Sequence, residues 1–312
     1  METQTLENNN SKTSFDVYQM VTDKIIAKLE NGIIPWEKQW NFSTPFTAAK
    51  NYVTGKEYTG INFWLLAGEN YQQPYFLTYK QAKALGGYIE KGADSEVIVF
   101  WNAMFKDEKG LSVPQKNVTS SNIDELRKIG YLKYYRVFNV MHLKGVDLNL
   151  PVLTERTSEE KNELSNAIIG NYSNCPAIIL THKKEAFYEP TCDNIHIPDK
   201  IHFPNDELFY RVIFHELIHS TGHKTRLDRK LTGDIEDVSY AKEELIAELG
   251  SSYLATHVGY NDNYTERSAA YIQTWLKQLR NDKRFIVDAA SKASKAVNYI
   301  LGKSETQEGE QQ

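Results

Sequence analysis

Cysteine is scarce in this chain: Cys175 and Cys192 are the only two in 312 residues. They form no CxxC pair and are too few for a disulfide scaffold, so a reducing, cytoplasmic setting is expected. Long apolar runs are also missing. No stretch of about 18 apolar residues exists, which excludes a membrane-spanning helix and makes no membrane partner the expectation. The opening METQTLENNNSKTS has neither the basic start nor the apolar core of a signal peptide. An excess of positive charge is absent too, since the net charge is −5. That excludes a protein that is basic over its whole surface. The halves differ, however: residues 1–150 carry 17 Lys/Arg against 16 Asp/Glu, and residues 151–312 carry the remaining 19 against 25. Any nucleic-acid surface should therefore be a local patch in the first half.

What is present is ordinary for a folded protein, with 41% hydrophobic and 25% charged residues. The length allows two domains. Hydrophobic periodicity and turn signals predict a polar tail over 1–13, an α+β domain over 14–150, and a linker at 151–156. A second α+β domain over 157–302 and a short tail over 303–312 follow. In the first domain, Val17, Met20, Val21, Ile25 and Leu29 mark one helix face, and Ile61–Leu66 a short buried helix. Thr78 is positioned to cap a helix that Gly86-Gly87 ends. GYIEKG and EVIVFW are expected to pair as a hairpin, and the polar segment 104–128 to be an insertion loop. In the second domain DNIHIP suits an edge strand able to hold a peptide.

The sharpest signal is LFYRVIFHELIHSTGH at 208–223. His215, Glu216 and His219 form H-E-x-x-H within an apolar run. Residues i and i+4 share a helix face, so both imidazoles can meet one metal ion, with Glu216 placed as a general base acting on water. Zinc suits such a site, with manganese or another divalent ion possible. The apolar flanks bury this helix, and buried His and Glu need partners. A second helix offers Glu244 and Glu248, again i and i+4. Glu243 is expected to be a solvated surface charge. His223 is open to three roles: a substitute ligand, a donor to substrate, or a cation at a helix end. Tyr240 and Arg226 are candidates for stabilising an oxyanion.

Between Trp36 and Lys91 aromatic rings and lysines interleave, as in proteins that stack single-stranded bases and follow the backbone with cations. Lys50, Tyr52, Lys56, Tyr58, Trp64, Lys80 and Lys91 are the residues singled out for that role, although many rings here must also form a core.

Three stretches, PF-TAAKNYVTGKEYTGINFWLL, PYFLTYKQAKALGGYIEKG and EVIVFW, resemble the N-terminal domain of the ArdC antirestriction family, shared with TraC-type primases. HELIHSTGHKTRLDR and YAKEELIAELGSSYL resemble that family's metallopeptidase-like domain, itself similar to SprT/Spartan proteases. ELIAE also resembles the E-x-x-A-[DEN] segment of gluzincins. That resemblance makes Glu244 the third metal ligand and Glu248 the carboxylate behind a ligand histidine. The ArdC resemblance implies single-stranded DNA binding, a zincin-like site, and an antirestriction or DNA-maintenance role on a mobile element such as a plasmid. A protease acting on DNA-bound proteins, and a DNA-binding module with a purely structural metal, are the alternatives.

Overall fold

The computed structural model describes residues 15–36, 48–67, 71–119, 122–229, 231, 238–260 and 269–303. Helix α1 (Val17–Glu30) starts where the Asp16 carboxylate accepts from the backbone N–H groups of Tyr18 and Gln19. It buries Val21, Ile25 and Leu29. Strand β1 (Lys50–Asn51) leads to α2 (Ile61–Leu66), buried along its whole length. Next come β2 (Tyr75–Thr78) and α3 (Tyr79–Ala84), whose start is held by a reciprocal capping box between Thr78 and Gln81. Then follow β3 (Tyr88–Ile89), β4 (Glu96–Lys106), β5 (Ser112–Val113), β6 (Arg127–Asn139) and β7 (Leu143–Lys144). The main sheet has the order β1-β2-β6-β4-β5, antiparallel except for β1 against β2.

Two expectations fail in this half. Strand β3 does not form a hairpin with β4; it pairs antiparallel with β7, Tyr88 opposite Lys144. Segment 104–128 is not simply an inserted loop. The β4–β6 ladder runs unbroken from Glu96↔Val137 to Lys106↔Arg127, so the segment's two ends are strand. Polar side chains occur there because most of the segment is exposed or half-exposed, Phe105 excepted.

In the second half, α4 (Ser158–Asn171) opens on a Thr157/Glu160 capping box. Strands β8 (Ala177–Thr181), β9 (Phe187–Glu189) and β10 (Asn194–Pro198) form a sheet of order β8-β10-β9. DNIHIP, expected at an edge, is thus the central strand: β10 runs parallel to β8 and antiparallel to β9, so neither of its edges is open. Four helices complete the chain: α5 (Asp206–Ser220), α6 (Val238–Val258), α7 (Ala269–Asn281) and α8 (Phe285–Ile300). No described helix is long and apolar enough to cross a membrane.

One apolar core joins the two halves. Val21, Ile25, Trp36, Phe63 and Trp64 from the first half belong to the same cluster as Phe214, Leu245, Trp275 and Phe285 from the second. The Trp36 and Trp275 rings meet edge-on at 5.3 Å, and the Phe63 and Tyr253 rings at 4.6 Å. Polar contacts line the same seam: Gly60 N donates to Ser294 Oγ, and Ser252 Oγ donates to the Trp36 carbonyl.

Candidate metal centre

Helix α5 is fixed at its start by Asn205, whose side chain accepts from Leu208 N at 2.8 Å. Asp206 and Glu207 in its first turn complement the helix dipole. Its apolar face, including Ile213, Phe214, Leu217 and Ile218, is buried. That leaves His215 and His219, one turn apart, facing α6. The two helices approach closely at Gly250, where a Cβ would lie 2.6 Å from Ile218 Cδ1. Any larger residue would push α6 away from α5.

This packing brings three donors together. His215 Nε2 and His219 Nε2 are 3.1 Å apart, and the Glu244 carboxylate lies 3.7 Å from the first and 3.4 Å from the second. Among the described residues this is the one group of three or more metal-ligating side chains, with all donor atoms within 4.8 Å of one another. Behind each imidazole stands a carboxylate. Glu248 Oε1 is 3.4 Å from His215 Nδ1, and Glu243 Oε1 is 3.4 Å from His219 Nδ1. Glu243 is therefore not the solvated charge expected from sequence: it is buried and clamped by Arg229, which donates from Nη2 to Oε1 at 2.7 Å and from Nε to Oε2 at 3.0 Å. Nothing short-range in sequence marks Glu243 and Arg229. Their pairing needs the turn after α5 to fold back onto α6.

The charges here are strongly coupled. Burial alone would push the His219 imidazolium pKa down, but the carboxylates of Glu243 and Glu244 outweigh it and raise the value to about 10. Burial would likewise raise Glu244, yet His215 and His219 hold its carboxyl far below the usual range. Glu243 is lowered for the same reason, by His219 and Arg229 against burial. The site thus gathers carboxylates around two imidazoles, an arrangement that favours positive charge between them. Two imidazole nitrogens plus one carboxylate oxygen is a donor set that suits zinc and manganese alike. Glu216 is 6% exposed, and among the described residues its carboxylate makes no hydrogen bond or ion pair.

The other sequence candidates fall elsewhere. Tyr240 sits one turn before Glu244 on α6, half-buried. His223 lies past the end of α5, where its Nδ1 meets Thr225 Oγ1 at 2.8 Å, outside the donor cluster. Arg226 cannot serve an oxyanion, because its donors are all engaged. It donates to the carbonyls of Ser220 and Asn174, the Tyr188 hydroxyl and the Asp193 carboxylate. In the first half, Tyr58 and Trp64 are core residues, 2% and 4% exposed. Their rings cannot stack on bases, which corrects the sequence expectation. Tyr52 is half-buried, its ring edge-on to Tyr75, and Lys50 pairs with Glu57 at 3.3 Å. Lys56, Lys80 and Lys91 are exposed.

Fold and site together define a class: a mixed helix–sheet protein whose second half is a zincin-like unit, with its ligands on two packed helices. A family model described as a zincin-like metallopeptidase matches residues 170–292. One described as the N-terminal domain of the anti-restriction factor ArdC matches residues 15–138. Crystal structures of the antirestriction protein ArdC from plasmid R388 superpose with TM-scores of 0.72 (metal-free) and 0.70 (Mn(II)-bound), at 34% identity. They cover 92% of this chain and 97–98% of theirs. The chain belongs to the ArdC family. It is also 30% identical to the Sinorhizobium fredii protein y4eC, covering 92% of that protein, and 33% identical to an Escherichia coli DNA primase TraC. It spans only 28% of the length of that primase.

Proposed function

We propose that this chain is an antirestriction protein of a mobile element that holds single-stranded DNA through its first half and carries a divalent-metal peptidase site in its second. The observation that carries the peptidase reading is the cluster of His215, His219 and Glu244 beside the unpartnered Glu216. A cation bound by those three side chains supplies Lewis acidity, polarising a carbonyl and making water a stronger acid. The chain's own residues do the rest. Glu248 and Glu243 accept from the Nδ1–H groups of His215 and His219, which leaves each Nε2 lone pair turned inward. Glu216 accepts the proton of the attacking water and delivers it to the leaving nitrogen.

The DNA half of the reading rests on the ArdC N-terminal domain match and on the similarity to a protein named as a DNA primase. Joined on one core, the two activities point to substrates that are proteins on DNA. The competing reading, a structural metal beside a DNA-binding module, has no use for Glu216.

Metal content separates these readings. Wild-type protein should carry about one zinc or manganese per chain, and Glu244→Ala none. With metal in place, Glu216→Gln should keep the ion and lose cleavage of a protein bound to single-stranded DNA. If wild-type protein binds no divalent ion when supplied, the peptidase reading fails. If it binds one but cleaves nothing, with Glu216→Gln indistinguishable, the metal is structural.

A further inference from the structure

We propose that the outer part of the β4–β6 ribbon is the surface on which single-stranded DNA lies, with Trp101 as its principal stacking platform. This rests on the single-strand reading above and gives it a site that the expected residues, partly buried in the core, do not provide.

Residues 127–136 read RKIGYLKYYR, with four cations, three tyrosines and no acid. They lie on a half of the chain whose overall charge is nearly balanced, so the basic surface is local. Among the described residues none of Arg127, Lys128, Lys133 and Arg136 has a carboxylate partner, and all four are exposed. By contrast Lys50, one of the lysines expected to meet DNA, is spent on Glu57. Side chains alternate along β6, so Lys128 and Arg136 share the Trp101 face with Tyr134, 40% exposed, while Arg127 and Lys133 lie on the other face; Lys128 Nζ is 4.8 Å from the Trp101 ring centre.

Trp101 is a flat surface rather than a core residue. It is 46% exposed, and its ring lies directly over Gly130, where a Cβ would come within 2.6 Å of the indole. Glycine in a strand interior weakens the strand unless something must approach closely. Here that something is an indole laid against one strand, with Lys128 Nζ 4.8 Å from its centre and nearly half its surface in solvent. Covering a glycine accounts for the inner face only. Tyr131 and Met104, 38% and 39% exposed, occupy the opposite side of the ribbon. A strand rise of about 3.4 Å per residue makes Arg127–Arg136 about 30 Å long, room for several nucleotides. Rings for unstacked bases, with cations for the backbone, match a single strand rather than a duplex.

The test is fluorescence anisotropy of labelled dT20 with the full chain over a salt series. Wild type is compared with Trp101→Ala, Trp101→Phe and Lys128→Ala/Arg136→Ala, with thermal melting as a check on folding. Trp101→Ala should bind about tenfold more weakly, and Trp101→Phe should recover most of the loss. The Lys128→Ala/Arg136→Ala variant should reduce the slope of log affinity against log salt by about 1.4. If all three bind dT20 like wild type, the strand lies elsewhere and only this site is overturned. If wild type itself fails to bind dT20 at low salt, the single-strand reading and the site fall together. If instead Trp101→Ala leaves DNA binding alone and abolishes self-association in light scattering, the ribbon is an interface between copies.

Discussion

Adjacent glutamates on α6 have different duties at the metal centre. Glu244 points its oxygens at both Nε2 atoms, whereas Glu243 stands behind His219 and is held there by Arg229. Removing a ligand and removing a support should therefore differ in degree. Glu244→Ala should abolish stoichiometric binding of one divalent ion in calorimetry. Glu243→Ala and Glu248→Ala should each weaken it by about 10- to 100-fold, the usual cost of losing an outer carboxylate. The Arg229–Glu243 pair makes a second point. Both side chains are nearly fully buried, at 7% and 8% exposure. Arg229→Met should cost about 3 kcal/mol in chemical denaturation, because it strands a buried carboxylate. Adding Glu243→Leu should restore much of that stability without restoring metal affinity. If the double variant bound metal as tightly as wild type, Glu243 would be only a structural partner of Arg229.

At the scale of elements, the turn after α5 is tied to the β9–β10 sheet through Arg226. Its guanidinium is 2% exposed and spans two backbone carbonyls, Tyr188 and Asp193. Arg226→Ala should lower stability by about 2–4 kcal/mol, since it leaves those groups without their donor. A pH signature accompanies it. The Arg226 guanidinium, helped by Tyr188, holds the Asp193 carboxyl below its usual value of 3.8 against its partial burial. A depressed carboxylate stabilises the fold above its unfolded pKa and ceases to do so as pH falls through the folded value. The deficit of Arg226→Ala relative to wild type should thus be constant near neutrality and shrink below about pH 4. Sequence order placed Arg226 close to the histidines and suggested an oxyanion role; only the fold shows its donors turned towards the sheet. The same limit explains what else was illegible. Helices α5 and α6 were readable because a run of apolar residues surrounds spaced ligands. The β3–β7 pairing was not, because it joins Tyr88 to Lys144 in a sheet of their own, with β4, β5 and β6 between them in sequence. Tyr58 and Trp64 look in sequence like rings between lysines, and burial cannot be read from that spacing. Trp101 and RKIGYLKYYR lay outside the interleaved stretch: Trp101 ended an expected strand, and Arg127 and Lys128 fell in a segment whose polarity resembled a loop.

At the scale of the molecule, 151–156 separates two sequence patterns, yet the largest core draws on both sides of it, while two smaller clusters lie within the first half. Helix α6 shows why. Its first turns carry Glu243, Glu244 and Glu248, while Ser252 bonds the Trp36 carbonyl and Tyr253 packs on Phe63 and donates to Glu57. A helix that is buried nearly all round cannot lose one of its walls cheaply, since each large side chain exposed forfeits about 1.5–3 kcal/mol. The first half's α2 supplies part of that wall through Phe63, and beside it α1 packs on α7 and α8, with Trp36 2% exposed against Trp275 of α7. Two domains meeting through an ordinary surface would unfold separately; halves sharing a core should unfold together. Calorimetry of the full chain should therefore show one transition, with calorimetric and van't Hoff enthalpies equal. Trp36→Ala, which opens a cavity in the shared core, should cost about 3–5 kcal/mol and move that single transition as a whole. Two resolved transitions, only one of them shifted by Trp36→Ala, would mean that the halves are independent and that the seam adds little stability. A single transition would also give α6 a consequence for function: a change felt at Glu57, Phe63 or Trp36 acts on the same rigid helix that presents Glu244 to the histidines.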